Sequence, residues 1–240
     1  MKRLLILFLF LGAYGAMFTS CTDVFCVSGT GDVVIRDIQV SSFDAIENRT
    51  SVDIYLTQAS EPTYTIEARG QSNILDEIEF SVINGELIID SRECFNTSEE
   101  LTIYIDVDQL DAITLGGSGD VFGVGIFELG DLEIEINGSG DIDLELLADD
   151  IETEIRESGD VTLQGEADQH DIRITGSGDL ESFGLCTEES DIRISGSGDA
   201  EVCVEDVLDV VITGSGSVYY KGFPDVNATI IGSGSVTNSN

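Results

Sequence analysis

Apolar and polar residues alternate along most of the chain, which is typical of β-strands with one buried face. The alternation is organised around a recurring Gly-Ser-Gly triplet, and the copies can be aligned on their central serines. The residue three positions before each of these serines is aliphatic in every copy, at Leu115, Ile136, Ile155, Ile174, Ile194, Ile212 and Ile230. Signals for helices are weak, so the pattern predicts an all-β protein.

The triplet recurs at the spacing of a stacked repeat. Its copies begin at Gly117, Gly138, Gly176, Gly196, Gly214 and Gly232, with a degraded copy, Glu157-Ser158-Gly159, after the second, so that successive copies lie 21, 19, 19, 20, 18 and 18 residues apart. One unit of this size cannot enclose a core alone, so neighbouring units must cover its apolar face. The repeat predicts a right-handed parallel β-helix, a solenoid whose coils contain about 18 to 21 residues.

Glycine on both sides of the serine predicts a tight corner between strands, where the chain needs a positive φ and has no room for a Cβ. An anion-binding nest of backbone N–H groups is the alternative. Such a nest would occur once, before a helix, whereas these copies precede strands. The corner glycines are Gly117, Gly119, Gly138, Gly140, Gly159, Gly176, Gly178, Gly196, Gly198, Gly214, Gly216, Gly232 and Gly234.

The chain divides into four segments on this interpretation. Residues 1–20 are a signal peptide, 21–33 a lipidated N-terminus and tether, 34–110 an irregular N-terminal β region, and 111–240 the repeat solenoid. The third segment lacks the triplet but alternates like strands, and its Asn84-Gly85 pair predicts a hairpin turn. We expect it to cover the N-terminal edge of the solenoid.

The first residues have the features of an export signal. Lys2-Arg3 precedes an apolar run that is too short for a membrane-spanning helix, and Phe18-Thr19-Ser20-Cys21 resembles a lipobox, with Phe18 where Leu is usual. Cys21 would then carry lipid and hold the protein at a membrane. In the alternative, an ordinary signal peptide leaves Cys21 as a structural thiol.

Four more cysteines, Cys26, Cys94, Cys186 and Cys203, are an even number for an oxidising compartment. Cys186 and Cys203 lie 17 residues apart, close to one coil, so they can meet between adjacent coils. Cys26 and Cys94 would then pin the N-terminal region. A zinc site is disfavoured because the sequence has no CxxC pair and no cluster of histidines.

The negative charge of the chain excludes two classes of partner. The net charge of −37 becomes −39 when Lys2 and Arg3 are removed with the signal. Nucleic acid is excluded because phosphate binding needs a basic surface. Attraction to anionic lipid is excluded for the same reason, so a lipid anchor would have to hold the protein at the membrane. A solvated acidic coat, which keeps a surface protein soluble, is the simplest interpretation.

Aspartate follows the triplet serine by two positions in five copies, at Asp120, Asp141, Asp160, Asp179 and Asp199. Stacked about 5 Å apart, such charges repel by roughly 0.8 kcal/mol in water and about 3 kcal/mol in a sheltered site. A sheltered stack would favour Ca²⁺, which prefers oxygen ligands. In the alternative, each Asp is solvated and bonds the backbone of its own corner. No other cofactor is indicated.

Carboxylates at repeated, equivalent positions are poor candidates for catalysis, which needs two acids in unequal environments. His170 is the only histidine and stands in an aliphatic column, which indicates a spacer and not a general base. Tyr219, Tyr220 and Phe223 could stack on a sugar or cap the core. The sequence favours a protein that is not an enzyme. A carbohydrate-active β-helix that uses paired carboxylates is the alternative.

Ordered motifs connect the chain to a known family. Phe43-Asp44-Ala45-Ile46, the segment Ser51-Val52-Asp53-Ile54-Tyr55-Leu56-Thr57-Gln58, Asn84-Gly85-Glu86-Leu87 and the Gly-Ser-Gly-Asp corners resemble the putative auto-transporter adhesin head GIN domain of bacterial envelope lipoproteins. The resemblance implies a β-helical fold and export, but it brings no catalytic or binding residues. Ser217 and Ser235 depart from the pattern at the aspartate position.

We therefore expect a non-catalytic lipoprotein of the Gram-negative cell envelope, at the outer membrane or cell surface, that binds a glycan or protein partner. An envelope component that assembles through its C-terminal edge is a further alternative. The sequence leaves the oligomeric state open.

Overall fold

A computed structural model describes residues 26–62 and 64–240. The protein is a nearly all-β solenoid of about 7 turns with coils of about 19 residues, preceded by irregular N-terminal strands. The predicted signal peptide and Cys21 lie outside the described residues. Within the described part of the chain, no helix is both long and apolar enough to cross a membrane.

The strands of the N-terminal half are β1 Val27–Ser28, β2 Val33–Gln39, β3 Ala45–Asn48, β4 Asp53–Gln58, β5 Thr65–Gln71, β6 Ile78–Ile83, β7 Glu86–Ser91, β8 Phe95–Asn96, β9 Thr102–Val107 and β10 Ala112–Leu115, with one short helix, α1 Ser72–Leu75. The others are β11 Val121–Glu128, β12 Leu132–Ile136, β13 Ile142–Ile155, β14 Val161–Ile174, β15 Leu180–Ile194, β16 Ala200–Gly214, β17 Val218–Lys221, β18 Asp225–Gly232 and β19 Val236–Asn238.

Parallel strands stack in two ladders. The first ladder contains, in spatial order, β7, β3, β10, β12, the second halves of β13 to β16, and β18. The second ladder contains β9, β4, β11, the first halves of β13 to β16, β17 and β19. The apolar side chains between the ladders form one continuous core.

The aliphatic column of the repeat runs along the interior in strict register. Leu115 pairs with Ile136, and the pairing continues coil by coil to Ile230. All of these side chains are buried except that of Ile230 in the last coil, which is 41% exposed. The sequence prediction that equivalent residues of successive copies lie above one another is therefore confirmed.

The first coils do not stack in chain order. Strand β3 lies between β7 and β10 in the first ladder, and β4 lies between β9 and β11 in the second. Two strands that come early in the chain are therefore inserted between strands that come later. Tyr55 on β4 stacks between Tyr104 on β9 and Phe122 on β11, with ring centroids 5.2 Å apart on each side. Cross-strand aromatic pairs stabilise such neighbours and help to select this register.

Antiparallel strands end the stack at its N-terminal side. Strand β5 pairs with β9 and β2 pairs with β5, while β6 pairs with β7 through the predicted Asn84-Gly85 turn. Both turn residues have positive φ, 55° and 90°, as a tight hairpin requires. The parallel ladders are thus covered at this end, which we call the capped end.

The corner glycines are explained by close stacking more than by backbone conformation. Positive φ was expected at all of them, but only Gly214 and Gly232 have it. A Cβ on Gly140 would lie 2.2 Å from the carbonyl oxygen of Gly119, and one on Gly178 would lie 2.1 Å from that of Gly159. At Gly140 and Gly178 the backbone of the preceding corner lies so near that a Cβ has no space.

Candidate functional site

The five aspartates form a hydrogen-bonded row along the corners, which we call the aspartate seam. The Oδ1 atom of each carboxylate accepts a hydrogen bond from the backbone N–H of the next aspartate, over distances of 2.9, 2.8, 2.8 and 2.7 Å. The row begins at Asp53, which accepts from the Asp120 N–H, and ends where Asp199 accepts from the Ser217 N–H.

The carboxylates of the seam accept hydrogen bonds from backbone N–H groups that find no backbone carbonyl in the neighbouring coil. The carbonyl of Asp141 accepts from the Val121 N–H of the preceding coil, and equivalent bonds recur at the other corners. The N–H of Asp141 itself points toward that coil and meets the Asp120 carboxylate. The expectation that each Asp bonds its own corner was wrong, because the bond runs to the next coil.

These bonds give the aspartates a structural role. Within residues 26–62 and 64–240, no group of three His, Cys, Asp or Glu side chains is arranged to hold a metal ion. The hypothesis of Ca²⁺ binding at Asp120, Asp141, Asp160, Asp179 and Asp199 therefore has no ligand cluster behind it in the described chain. A hydrogen bond to a carboxylate is stronger than one between neutral groups, so the seam also ties the coils together.

His170 is enclosed in the core. Its side chain is 1% exposed, and its Nε2 atom lies 2.9 Å from the hydroxyl oxygen of Thr153 in the preceding coil. Burial lowers the pKa of His170 to about 3, because the charged imidazolium is disfavoured away from water. A neutral imidazole that solvent cannot reach is a structural group, more deeply buried than the sequence indicated.

The four described cysteines are joined in two disulfides. Cys186 and Cys203 occupy paired positions of adjacent strands, with their Cα atoms 4.5 Å apart. Cys26 is bonded to Cys94, and the bond lies beside the short parallel pair of β1 and β8 at the capped end. One bridge thus links successive coils, and the other holds the segment that leads in from the N-terminus.

Carboxylates line a shallow groove of about 530 Å³ on the first ladder. Glu133, Glu152 and Asp171 occupy equivalent positions of three successive coils there. Because their surroundings repeat, none of them is set apart as the acid or the base of a catalytic pair. The groove therefore gives no specific support to the carbohydrate-active alternative.

The C-terminal aromatic residues are divided between core and surface. Tyr220 is partly buried, packs against the core and pairs in register with Val202 of the preceding coil. Phe223 is 90% exposed beyond the end of β17. Tyr220 thus acts in closing the core, and the three residues do not form one aromatic platform.

An apolar strip on the outer face of the first coils was not predicted. It consists of Tyr104, Tyr55 and Phe122, followed on β11 by Val124 and Ile126, which are 50% and 54% exposed. The feature of the sequence that could have indicated the strip is an aromatic residue at an outward position of each of three strands. Buried aliphatic residues, such as Ile54 and Leu56, flank these aromatic residues. The strands that carry these rings are distant in sequence, so their meeting could not be inferred.

The rings of the apolar strip are stacked on one another. The planes of Tyr55 and Tyr104 differ by 20°, and those of Tyr55 and Phe122 by 28°. The faces of Tyr55 are therefore covered, and the strip presents ring edges and aliphatic groups to solvent. Acidic residues lie beside it, since Asp143 pairs with Phe122 and Glu67 with Tyr104.

Comparison with known protein families finds a match over most of the chain. The model of the family described as "Putative auto-transporter adhesin, head GIN domain" matches residues 42–224. A search of curated proteins finds no match.

Solved structures share the whole fold. A putative adhesin from Bacteroides fragilis is 25% identical, with a TM-score of 0.82 over 88% of this chain and 99% of that one. A putative adhesin from Parabacteroides merdae is 22% identical, with a TM-score of 0.71 over 89% and 99% of the two chains. A putative lipid binding protein from Parabacteroides distasonis is 21% identical, with a TM-score of 0.68 over 90% and 100%. The similarity to the two Parabacteroides proteins shows a shared fold alone.

Proposed function

We propose that this chain, which belongs to the putative auto-transporter adhesin, head GIN domain family, is a non-catalytic adhesion module that binds a protein through its apolar strip. The family and the similar adhesin from Bacteroides fragilis support an exported or surface adhesin. The observation that carries the proposal is the strip itself, because exposed apolar groups gathered on a strongly acidic protein mark an interaction surface.

The stacking of the rings favours a protein ligand over a glycan. A sugar binds an aromatic side chain through the face of the ring, and both faces of Tyr55 are covered by its neighbours. Ring edges together with Val124 and Ile126 suit the apolar centre of a protein interface, where aromatic residues are enriched.

The charge of the surroundings indicates the chemistry of the partner. Asp143 and Glu67 stand beside the strip on a chain whose net charge is −37. A partner with an apolar patch surrounded by Lys and Arg would match this surface and would be steered toward it. An acidic partner would be repelled, so the charge contributes to specificity.

The N-terminus supplies the attachment in this proposal. Cleavage before Cys21 and lipidation of its thiol would anchor the protein in the cell envelope. Cys26 lies at the capped end of the solenoid, through its disulfide to Cys94, so the anchored segment would leave from that end. Metabolic labelling with a palmitate analogue should mark the native chain, and C21S should lose both the label and the membrane fraction. An unlabelled native chain would contradict the anchor without affecting the binding proposal.

The absence of catalysis in this proposal is supported by the arrangement of the ionisable side chains. His170 is buried against Thr153 and cannot reach a substrate. The surface carboxylates repeat from coil to coil in equivalent positions, and the aspartates of the seam are engaged by backbone N–H groups. Release of reducing ends from acidic polysaccharides would overturn this part of the proposal.

Binding to defined ligands tests the proposal. Immobilised extracellular-matrix proteins, basic globular proteins and an array of neutral and acidic glycans would be probed with the folded protein. The double variant V124S/I126S removes two exposed side chains of the strip without touching the core. We expect it to weaken binding at least about tenfold, as loss of an interface centre does.

The matched control is I35S, because Ile35 is 59% exposed on β2, outside the strip. It should bind like the native chain. No binding to any protein of the panel, binding to glycans alone, or binding that V124S/I126S leaves unchanged would each contradict the proposal.

A further inference from the structure

The last coil of the solenoid, residues 222–240, is covered on one side only. Strands β18 and β19 pair with β16 and β17, and no described strand pairs with their other edges. Side chains that point inward in earlier coils are uncovered here, since Val226 is 37% and Ile230 41% exposed. The two ladders and the core between them therefore end at an open face, which we call the open end.

The open end is built as an ordered surface. Asn240 donates a hydrogen bond from its side chain to the carbonyl of Gly222 at 2.7 Å and accepts one from the Gly222 N–H at 2.9 Å. The two bonds close the last coil on itself. Its edge strands are thus held in the extended form in which they could accept a further strand.

The acidic coat stops at the open end. Between Gly222 and Asn240 the only charged side chain is that of Asp225, whereas residues 142–160 carry eight acids and one base, namely Asp143, Glu145, Asp149, Asp150, Glu152, Glu154, Glu157, Asp160 and Arg156. The aspartate seam stops as well, because Ser217 and Ser235 occupy its last two positions and their hydroxyls are hydrogen-bonded to each other at 3.2 Å. A partner can approach this face without meeting the charge that covers the rest of the molecule.

We infer that the open end is a self-association surface, at which two copies of the chain meet tail to tail. A two-fold axis perpendicular to both the stack and its strands reverses the direction of every strand, so the edge strands of one copy would pair antiparallel with those of the other. The pairing extends both ladders across the junction and covers Val226 and Ile230 of both copies. Such an interface closes after two copies, because each uses the same patch.

The structure favours this arrangement over head-to-tail stacking. At the other end β5 and β6 run antiparallel to the ladder strands β9 and β7 and cover their outer edges, and β2 pairs with β5, so the capped end does not present the two parallel ladder edges that the open end presents. The sequence left open an assembly through the C-terminal edge. With two-fold symmetry such an assembly stops at a dimer, because both copies use the same surface.

Electrostatics selects a second copy as the occupant. Two chains of net charge −37 repel in most orientations, and tail-to-tail contact brings together the least charged ends while the acidic coats point away from each other. The apolar patch is also its own complement in size and position under two-fold symmetry. The inference does not depend on the proposed function, because the open end and the apolar strip are separate surfaces.

Sedimentation of the full chain carrying C21S, which excludes lipid-driven association, tests the inference over micromolar to millimolar concentrations. We expect a monomer–dimer equilibrium that shifts toward the dimer as salt rises, because ions screen the repulsion between the copies. Backbone amides of β18 should become more protected from hydrogen exchange as the dimer forms.

A pair of glutamate variants locates the interface. Ile231 and Thr213 are exposed and in register on the last coil and the coil before it. The variant I231E places a carboxylate on the edge strand and should weaken the dimer at least about tenfold, while T213E, one coil farther from the junction, should change it little. T229E serves as a second edge variant, and circular dichroism checks that all three fold.

Three results would overturn the inference. A monomer throughout the concentration range would remove the interface, and polymers larger than a dimer would contradict the two-fold arrangement. A dimer that responds to T213E as strongly as to I231E and T229E would place the contact elsewhere.

Discussion

The Nε2 atom of His170 lies 2.9 Å from the hydroxyl oxygen of Thr153, and both side chains are buried between the two ladders. The bond connects adjacent coils inside a core that is otherwise largely aliphatic. Ser190, in register with His170 on the next coil, bonds to Thr187 in the same interior. The middle of the solenoid therefore contains a small polar region whose hydrogen bonds are made internally.

The buried imidazole predicts a pH dependence of stability. His170 has a pKa of about 3 in the folded chain, against an ordinary value of 6.5 for histidine, so below about pH 6.5 the unfolded chain binds a proton that the folded chain does not. The free energy of unfolding should fall as pH falls through this window, by up to about 1.4 kcal/mol per pH unit from this residue. Urea unfolding at pH 7.5, 6 and 5 measures the effect.

The double variant H170L/T153V removes the titrating group together with its partner and serves as the reference for that measurement. Carboxylates affect both proteins alike, so the difference in unfolding free energy between them isolates His170. A difference that is the same at pH 7.5 and pH 5 would contradict the lowered pKa, because it would show that His170 takes up its proton equally in the folded and the unfolded chain.

Close stacking of the corners predicts a large effect of one methyl group. In G178A the new Cβ would lie 2.1 Å from the carbonyl oxygen of Gly159, so neighbouring coils must separate. We expect a loss of at least about 3 kcal/mol in the free energy of unfolding. The control is G130A, which has no heavy atom within 4 Å of the new Cβ and should stay within about 0.5 kcal/mol. Equal effects would contradict the steric explanation.

The aspartate seam predicts an order among variants at one position. Asn retains an oxygen that accepts the Asp179 N–H and removes a charge that repels its neighbours, so D160N should be at least as stable as the native chain. D160A removes the acceptor and should lose about 1 kcal/mol, whereas D171A, on an exposed position without a seam bond, should lose less.

Thermal melting in millimolar Ca²⁺ and in chelator completes this test. Because each seam carboxylate is satisfied by a backbone N–H, we expect the melting temperature to be the same in both. A rise with Ca²⁺ that D160N abolishes would establish a cation site on the seam.

The two disulfides should contribute unequally to stability. They close loops with sequence separations of 17 and 68 residues, and the chain-entropy treatment of cross-links assigns them about 3 and about 4 kcal/mol respectively. C26S/C94S should therefore lower the free energy of unfolding more than C186S/C203S, in unfolding experiments on both double variants. The reverse order would show that the bridge between coils acts mainly through the folded state.

Local sequence was sufficient for the repeated part of the fold. The spacing of the triplets and the period-two alternation predicted parallel coils, and the structure confirms the column from Leu115 to Ile212 as buried and in register. The prediction succeeded because each coil contacts its immediate neighbours in sequence, so the repeat length directly gives the partner of every residue.

The candidate sites were less accessible to sequence reasoning. The aspartates were singled out correctly as a row, but their acceptor role depends on the offset between backbone N–H groups of adjacent coils, which alignment does not show. The apolar strip was missed because Tyr55, Tyr104 and Phe122 come from strands whose spatial order differs from their order in the chain.

The amino-acid sequence by itself determined the coil, its inward and outward faces and its acidic surface, because these follow from side-chain chemistry repeated at a constant period. Only the tertiary structure decided how the stack begins and ends: β4 inserted between β9 and β11, antiparallel strands over one end and uncovered strands at the other. These features depend on pairing between segments that share no repeat, and the free energy of such pairing is set by contacts that exist only after the chain has folded.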